Sequence, residues 1–263
     1  MWNWVELLEL FRKQGRPLAL VTVTQCTGST PRETGAKMIV LGGGEPSGTF
    51  HGTIGGGHLE ELAIKDALQC IVSSESRTIR YPLGAKTGQC CGGVVELLIE
   101  VMNTGPHLYL FGAGHVGQAL CRTMVGTPFT VHAIDERAEW VMSERIPAEV
   151  IRHHEEWDDF ARDAVWDPEK TYVAIMTHRH DLDQDIVEYL CREPADSKRV
   201  RYAGLIGSLS KWARFRQRLS QKGVTEERLA RIKCPIGVDV GGKSPQEVAV
   251  SVAAELLKTH YGK

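Results

Sequence analysis

The spacing of apolar and polar residues changes along the chain, and each change marks a predicted element. Trp4, Leu7, Leu8 and Phe11 recur at i, i+3, i+4 and i+7. That spacing predicts an amphipathic helix ending at the breakers Gly15 and Pro17. The runs LALVTVT (18–24) and KMIVL (37–41) predict two strands, separated by a polar loop from Gln25 to Ala36 that contains glycine and proline. The cluster GTIGGG (52–57) leads into a helix starting near His58, and RTIRYPL (77–83) and VVELLIEV (94–101) predict further strands. This first part is mixed α and β. Turn residues Asn103, Gly105 and Pro106 follow, which sets the expected domains at 1–102 and 103–263.

From His107 onward strands and helices alternate: HLYLF strand, GHVGQALCRTM helix, FTVHAI and TYVAIMT strands, LDQDIVEYL helix, RYAGLIG strand, SKWARFRQRL helix. Such alternation predicts a Rossmann-like, doubly wound parallel sheet, so the fold class is α/β. The last helix carries its own start signal, with Ser244 as N-cap, Pro245 in the first helical position and Glu247 at N3.

Composition narrows the function classes. The 263 residues suffice for two domains, and with a net charge of −2 there is no basic footprint for nucleic acid. No run approaches the 18 or so apolar residues of a membrane span. The N-terminal stretch MWNWVELLELFRKQG has neither the basic region nor the unbroken apolar region of a signal peptide. Seven cysteines without regular spacing fit a reducing environment, so a cytoplasmic location is expected.

Several motifs carry candidate chemistry. LYLFGAGHVG places Gly112, Gly114 and Gly117 in the G-x-G-x-x-G pattern between strand and helix, and Asp135 ends the next strand about 20 residues further on. This order is that of a dinucleotide site: the glycines allow a tight turn and close approach to pyrophosphate, and the acid meets a ribose hydroxyl. GVDVGGKS (237–244) formally fits a phosphate-binding P-loop, but Pro235 and the better use of Ser244 as an N-cap favour a helix-start loop. MTHRHDLDQD offers His178, His180, Asp181, Asp183 and Asp185 at a strand's carboxyl edge, as metal ligands or as an acidic helix start. Gly207 and Ser208 sit at a further strand-to-helix turn, an anion site or a plain N-cap.

In the first part, TGQCCGGVVELLIE puts Cys90 and Cys91 side by side ahead of a strand. Neighbouring Cα atoms, about 3.8 Å apart, are too close for an ordinary disulfide, and no second Cys-x2-4-Cys pair completes a zinc site. Either one thiol is buried beside an incidental one, or the turn presents a soft thiolate. Together with CTGSTPRETGAK and GTIGGGHLEE it makes three glycine-containing loops. They suit an anionic ligand with a thiophilic part: Arg32 and Lys37 for charge, glycine amides for phosphate, Cys90 or Cys91 for sulfur or metal.

The segments VTVTQCTGSTPRETGAKMIV, GTIGGGHLE, TGQCCGGVVELLIE, LFGAGHVGQAL, GLIGS and PIGVDVGGKSPQEVAVSVAAEL together resemble the xanthine dehydrogenase accessory proteins, the XdhC/CoxI family. The likeness runs in order from about Leu18 to Leu257. It implies a molybdenum cofactor (molybdopterin) insertion chaperone without turnover of its own. Such a protein protects the cofactor while a cysteine desulfurase sulfurates it and delivers it to apo-xanthine dehydrogenase, an enzyme of purine catabolism. The resemblance further implies Cys90 and Cys91, with Gln89, as the cofactor contacts, the two cysteines facing molybdenum. Arg32 and the Gly55, Gly56, Gly57 loop would meet the pterin phosphate, and a homodimer is expected. A dinucleotide such as NAD(P) or FAD is the further cofactor expected in the Rossmann part, and two rivals remain: an NAD(P)-dependent oxidoreductase using Gly112, Gly114, Gly117 and Asp135 with His178 or His180 as acid or base, and a cysteine-based redox protein using Cys90 and Cys91.

Overall fold

The computed structural model describes residues 3–13, 16–42, 49–84, 92–102, 105–192 and 200–262. The chain divides into two compact units, residues 1–104 and 105–263.

In the first unit, helix α1 (Trp4–Lys13) precedes strands β1 (Leu18–Thr27), β2 (Lys37–Leu41) and β3 (Thr49–Gly52), helix α2 (Gly57–Ser73), and strands β4 (Arg77–Pro82) and β5 (Val94–Met102). The strands form an antiparallel sheet in the order β3-β2-β1-β5-β4. Because strand side chains alternate between faces, the two faces bury different sets. Leu18, Leu20, Ile39 and Leu41 pack with Phe11 and the apolar stripe of α1. Ala19, Val21, Val23, Met38 and Val40 pack with Leu59, Ala63, Ala67 and Cys70 of α2. The sheet is therefore the middle layer, and the predicted helix at Trp4 to Phe11 exists because its stripe has an apolar strand face to cover. Strand β3 was not foreseen from the sequence.

The second unit contains β6 (His107–Phe111), α3 (His115–Met124), β7 (Thr130–Ile134), α4 (Ala138–Val141), β8 (Ile151–His153), α5 (Trp157–Asp163) and β9 (Thr171–Ile175). It continues with α6 (His180–Arg192), β10 (Tyr202–Leu205), α7 (Leu209–Gln221), α8 (Glu226–Leu229), β11 (Ile232–Lys233) and α9 (Pro245–Tyr261). All the pairings are parallel, in the order β11-β10-β9-β6-β7-β8. In strand sequence this is 3-2-1-4-5-6, the doubly wound dinucleotide-fold order, with its switch point between β6 and β9. Both central strands are buried along their whole length. One face packs against α3 and α9 through Leu120, Met124, Val252 and Leu256. The other packs against α6 and α7 through Ile186, Val187, Phe215 and Leu219. The strands at Ile151 and Ile232 and the short helices α4, α5 and α8 were missed, being too short to show a period. Among the described residues no helix is long and apolar enough to cross a membrane.

Candidate functional site

The described parts of the three glycine-containing loops of the first unit meet at the end of β1. Gly28, with φ of +75°, directs its missing side chain at Gly93 Cα, 3.2 Å from where a Cβ would stand. A Cβ on Gly93 would lie 2.5 Å from the carbonyl oxygens of Thr27 and Ser29. One step along the same loop, a Cβ on Gly55 would lie 2.5 Å from Pro31 Cγ. The GSTPR segment thus lies between the GTIGGG loop and the residues that follow Cys91. Cys90, Cys91 and Gln89 themselves lie outside the described residues.

Around this junction the polar groups divide into committed and available. The Cys26 thiol and the Thr30 hydroxyl both donate to the Arg32 carbonyl, at 3.2 and 3.1 Å. The Arg32 side chain is exposed and makes no hydrogen bond or ion pair with any described residue. At the start of α2, Glu60 accepts from the Thr53 hydroxyl and from the amides of Ile54 (3.0 Å) and Gly56 (2.8 Å). Burial works to raise its pKa, but these donors outweigh burial and hold the carboxylate below its ordinary range. The loop therefore carries its own anion on Gly56, and Gly55 N donates to Thr53. A phosphate would draw on Gly57, the next amides of the helix and Arg32. Lys37 is not brought into this group: its ammonium donates to Thr22 Oγ1 at 2.9 Å and lies over the Trp4 ring, on the α1 face of the sheet.

In the second unit the three fingerprint glycines do different jobs. Gly112, at φ of +107°, donates to the Ile134 carbonyl, and a Cβ there would lie 2.3 Å from Met176 O. A Cβ on Gly117 would lie 2.1 Å from Gly112 O. Both are packing glycines. Gly114, the N-cap of α3, has nothing within 4 Å of its Cβ position, so its open side can admit a ligand. Asp135 is buried and fully engaged: it accepts from Ala113 N (2.8 Å), from Arg137 N (3.0 Å) and from both ends of the Arg137 guanidinium (2.9 and 2.8 Å). Burial opposes its ionisation, but Arg137 and the two amides outweigh burial and keep the carboxylate charged. It ties the glycine turn to the end of β7.

Beside the switch point lies a small cleft, open to solvent, lined by Asp135, Glu136, Glu155, Trp157 and His178 among others. His178 Nε2 and Glu136 Oε1 are 3.7 Å apart across it. Glu136, Glu155 and Trp157 were missed from the sequence, and the signal that finds them is their position at or just past the carboxyl ends of β7 and β8.

The remaining motifs are structural. Asp183 is buried, accepts from Thr177 N and Oγ1 (3.0 and 2.7 Å), and pairs with Lys211 Nζ at 2.6 Å. Asp181 pairs with Arg179 at the surface. Among the described residues no group of three or more His, Cys, Asp or Glu could hold a metal ion. Ser208 caps α7 by accepting from Lys211 N. At the P-loop look-alike the amides of Lys243 and Ser244 donate to Glu247, and Ser244 Oγ accepts from Glu247 N, a complete capping box. Burial pushes the Cys121 thiol up to about 12 and those of Cys191 and Cys234 up to about 11, which favours the thiol over the thiolate in each.

Fold and site together define a two-unit α/β protein: an antiparallel-sheet unit that gathers glycine loops at one edge, and a Rossmann-type unit with an open switch-point cleft. The XdhC Rossmann domain model matches residues 108–256 and the XdhC and CoxI family model matches residues 11–82. The chain belongs to the XdhC and CoxI family. It is 31% identical over 250 residues to the uncharacterized protein YqeB of Escherichia coli (strain K12), covering 94% of this chain and 44% of that protein. It is 29% identical over 171 residues to a probable xanthine dehydrogenase component of Bacillus subtilis (strain 168), covering 62% of this chain and 46% of that one. To the molybdenum cofactor insertion chaperone PaoD of E. coli it is 24% identical over 272 residues, covering 92% and 83%. The chain thus spans less than half the length of YqeB and of the Bacillus protein. A crystal structure described as a xanthine dehydrogenase from Bacillus halodurans shares the fold, with a TM-score of 0.51 at 20% identity over 100% of this chain and 97% of that one.

Proposed function

We propose that the protein is a xanthine dehydrogenase maturation factor that carries the molybdenum cofactor as cargo. The observation that carries this function is the contact between the GSTPR loop, the GTIGGG loop and Gly93, which holds the loop bearing Arg32, unpaired among the described residues, against a residue two positions after Cys91 in the chain. A phosphate on Arg32 and the α2 amides leaves the thiophilic metal end for Cys90 and Cys91, with Gln89 beside them. The relatives named for xanthine dehydrogenase and for cofactor insertion support the same function. With it go protection of the cofactor during sulfuration by a cysteine desulfurase, delivery to the molybdenum-binding part of the apo-enzyme, a homodimer and a cytoplasmic location.

The test is retention of released molybdenum cofactor through gel filtration, read as molybdenum and pterin content. Stoichiometric retention by the wild type, lost in Cys90→Ala or Cys91→Ala and weakened in Arg32→Ala, is expected. Failure of the wild type to retain either component rejects the proposal. The open side of Gly114 supports a second ligand, a dinucleotide such as NAD(P) or FAD in the Rossmann cleft. With every acceptor of Asp135 engaged, its ribose contact would pass to Glu136.

A further inference from the structure

Three imidazoles stand in a row across neighbouring strands on one face of the parallel sheet. His107 Nδ1 in β6 lies 3.1 Å from His132 Nε2 in β7. His132 Nδ1 lies 3.0 Å from His153 Nε2 in β8, and His153 Nδ1 lies 3.2 Å from Glu155 Oε1. Register explains the diagonal. His107 pairs with Thr130 and Ile134 with His153, so each histidine sits two positions nearer the carboxyl edge than the one before. His107 and His132 are buried, and the Glu155 side chain, 35% exposed, is a wall of the cleft. Tyr109 packs edge-on against His132 and Phe160 against His153, at centroid distances of 5.1 and 4.7 Å, which surrounds the row with aromatic surface on that side.

A neutral imidazole has one N–H and one lone pair, so the rings cannot choose their tautomers independently. An ionised Glu155 only accepts. His153 must then carry its proton on Nδ1, its Nε2 accepts from His132 Nδ1–H, and His132 Nε2 accepts from His107 Nδ1–H. A protonated Glu155 reverses every direction and places all three ring protons on Nε2. We propose that His107, His132, His153 and Glu155 form a proton relay ending in the Rossmann cleft, in which the charge on Glu155 sets the tautomer of all three rings.

The step balances. A proton enters at His107 Nε2, the His107 Nδ1 proton passes to His132 Nε2, the His132 Nδ1 proton to His153 Nε2, and the His153 Nδ1 proton to Glu155. Each N–H broken is matched by one formed, and no ring keeps a charge. The surroundings suit neutral rings. Burial pushes His153 down to about 4, and burial together with Asp163 and Asp159 of α5 pushes Glu155 up. Among the described residues, the other charged or titratable groups around the row include Tyr109, whose hydroxyl donates to Val165 O, Asp167 near Tyr109, Lys170, whose carbonyl accepts from His107 N, and Asp135, Glu136 and His178 in the cleft. An anionic ligand placed beside Glu155 would favour its protonated form, and the relay would supply that proton from the far edge of the sheet. This inference is independent of the cargo proposed for the first unit.

The test is nitrogen NMR of the full chain labelled with 15N-histidine, which reports which nitrogen of each ring carries the proton, alongside the Glu155 carboxyl 13C shift. On lowering the pH, all three rings should exchange from Nδ1–H to Nε2–H at one common midpoint, that of Glu155. Glu155→Gln should remove this switch from all three. His132→Phe should leave His153 following Glu155 while His107 no longer does. Separate midpoints, rings that pass one by one to imidazolium, or a switch that persists in Glu155→Gln would each overturn the relay, and the wild-type titration alone decides the first two.

Discussion

Gly93 lies so close to Ser29 that a side-chain carbon on it would stand 2.5 Å from the Ser29 carbonyl oxygen. Two loops more than sixty residues apart in the chain are held together by the absence of a methyl group. Gly93→Ala must push them apart, and overpacking of this kind costs about 1–3 kcal/mol. Urea unfolding should show that loss. Cofactor retention should fall further than stability does, because the displaced loop carries Arg32. Retention unchanged in the variant would separate the junction from the cargo site.

Gly114 and Gly117 belong to one fingerprint but should respond oppositely. Gly117→Ala drives a methyl into Gly112 O and should lower the unfolding temperature, consistent with a penalty of about 1–3 kcal/mol. Gly114→Ala meets empty space and should leave that temperature unchanged. If a dinucleotide binds, Gly114→Ala weakens it in a titration calorimeter while the fold persists.

Asp135 should make the second unit acid-sensitive. Its folded pKa lies below the ordinary 3.8, so its contribution is fully present above the unfolded value and disappears as pH falls through the folded one. Asp135→Asn removes charge-assisted bonds to Arg137 and should cost about 1.5–3 kcal/mol at neutral pH. The gap between wild type and variant should close below about pH 4, measurable as converging urea midpoints.

Lys211→Met should be the most damaging single change near α7. It leaves Asp183, 1% exposed, without its countercharge. Breaking a buried pair from one side costs about 3–5 kcal/mol. Loss of the folded baseline of this unit in circular dichroism at moderate urea would show it, and Arg179→Met, which removes only a surface partner of Asp181, should cost less than about 1 kcal/mol.

Much of the local structure was legible in the residues. The stripe at Trp4, Leu7, Leu8 and Phe11 and the Ser244–Glu247 capping box depend on side chains a few positions apart, so spacing suffices to find them. The alternation after His107 was likewise enough for a parallel α/β unit. The candidate site was legible as three glycine loops, yet Glu60 was not seen as the anion that fills the Gly56 amide, and Asp135 was expected to face a ribose where it holds Arg137. In the first case a nearby carboxylate supplies the acceptor and in the second a nearby guanidinium supplies the donors, and spacing does not rank such partners.

By itself, then, the sequence determined the longer elements and the class of fold, because periodicity, caps and turn residues act over a few positions, and the family through the likeness of its motifs. Tertiary structure alone decided which distant groups touch. His107, His132 and His153 are 25 and 21 residues apart in succession, and only the register of β6, β7 and β8 aligns them toward Glu155. Gly28 finds Gly93 for the same reason, since strand pairing between β1 and β5 converts separation in sequence into contact in space.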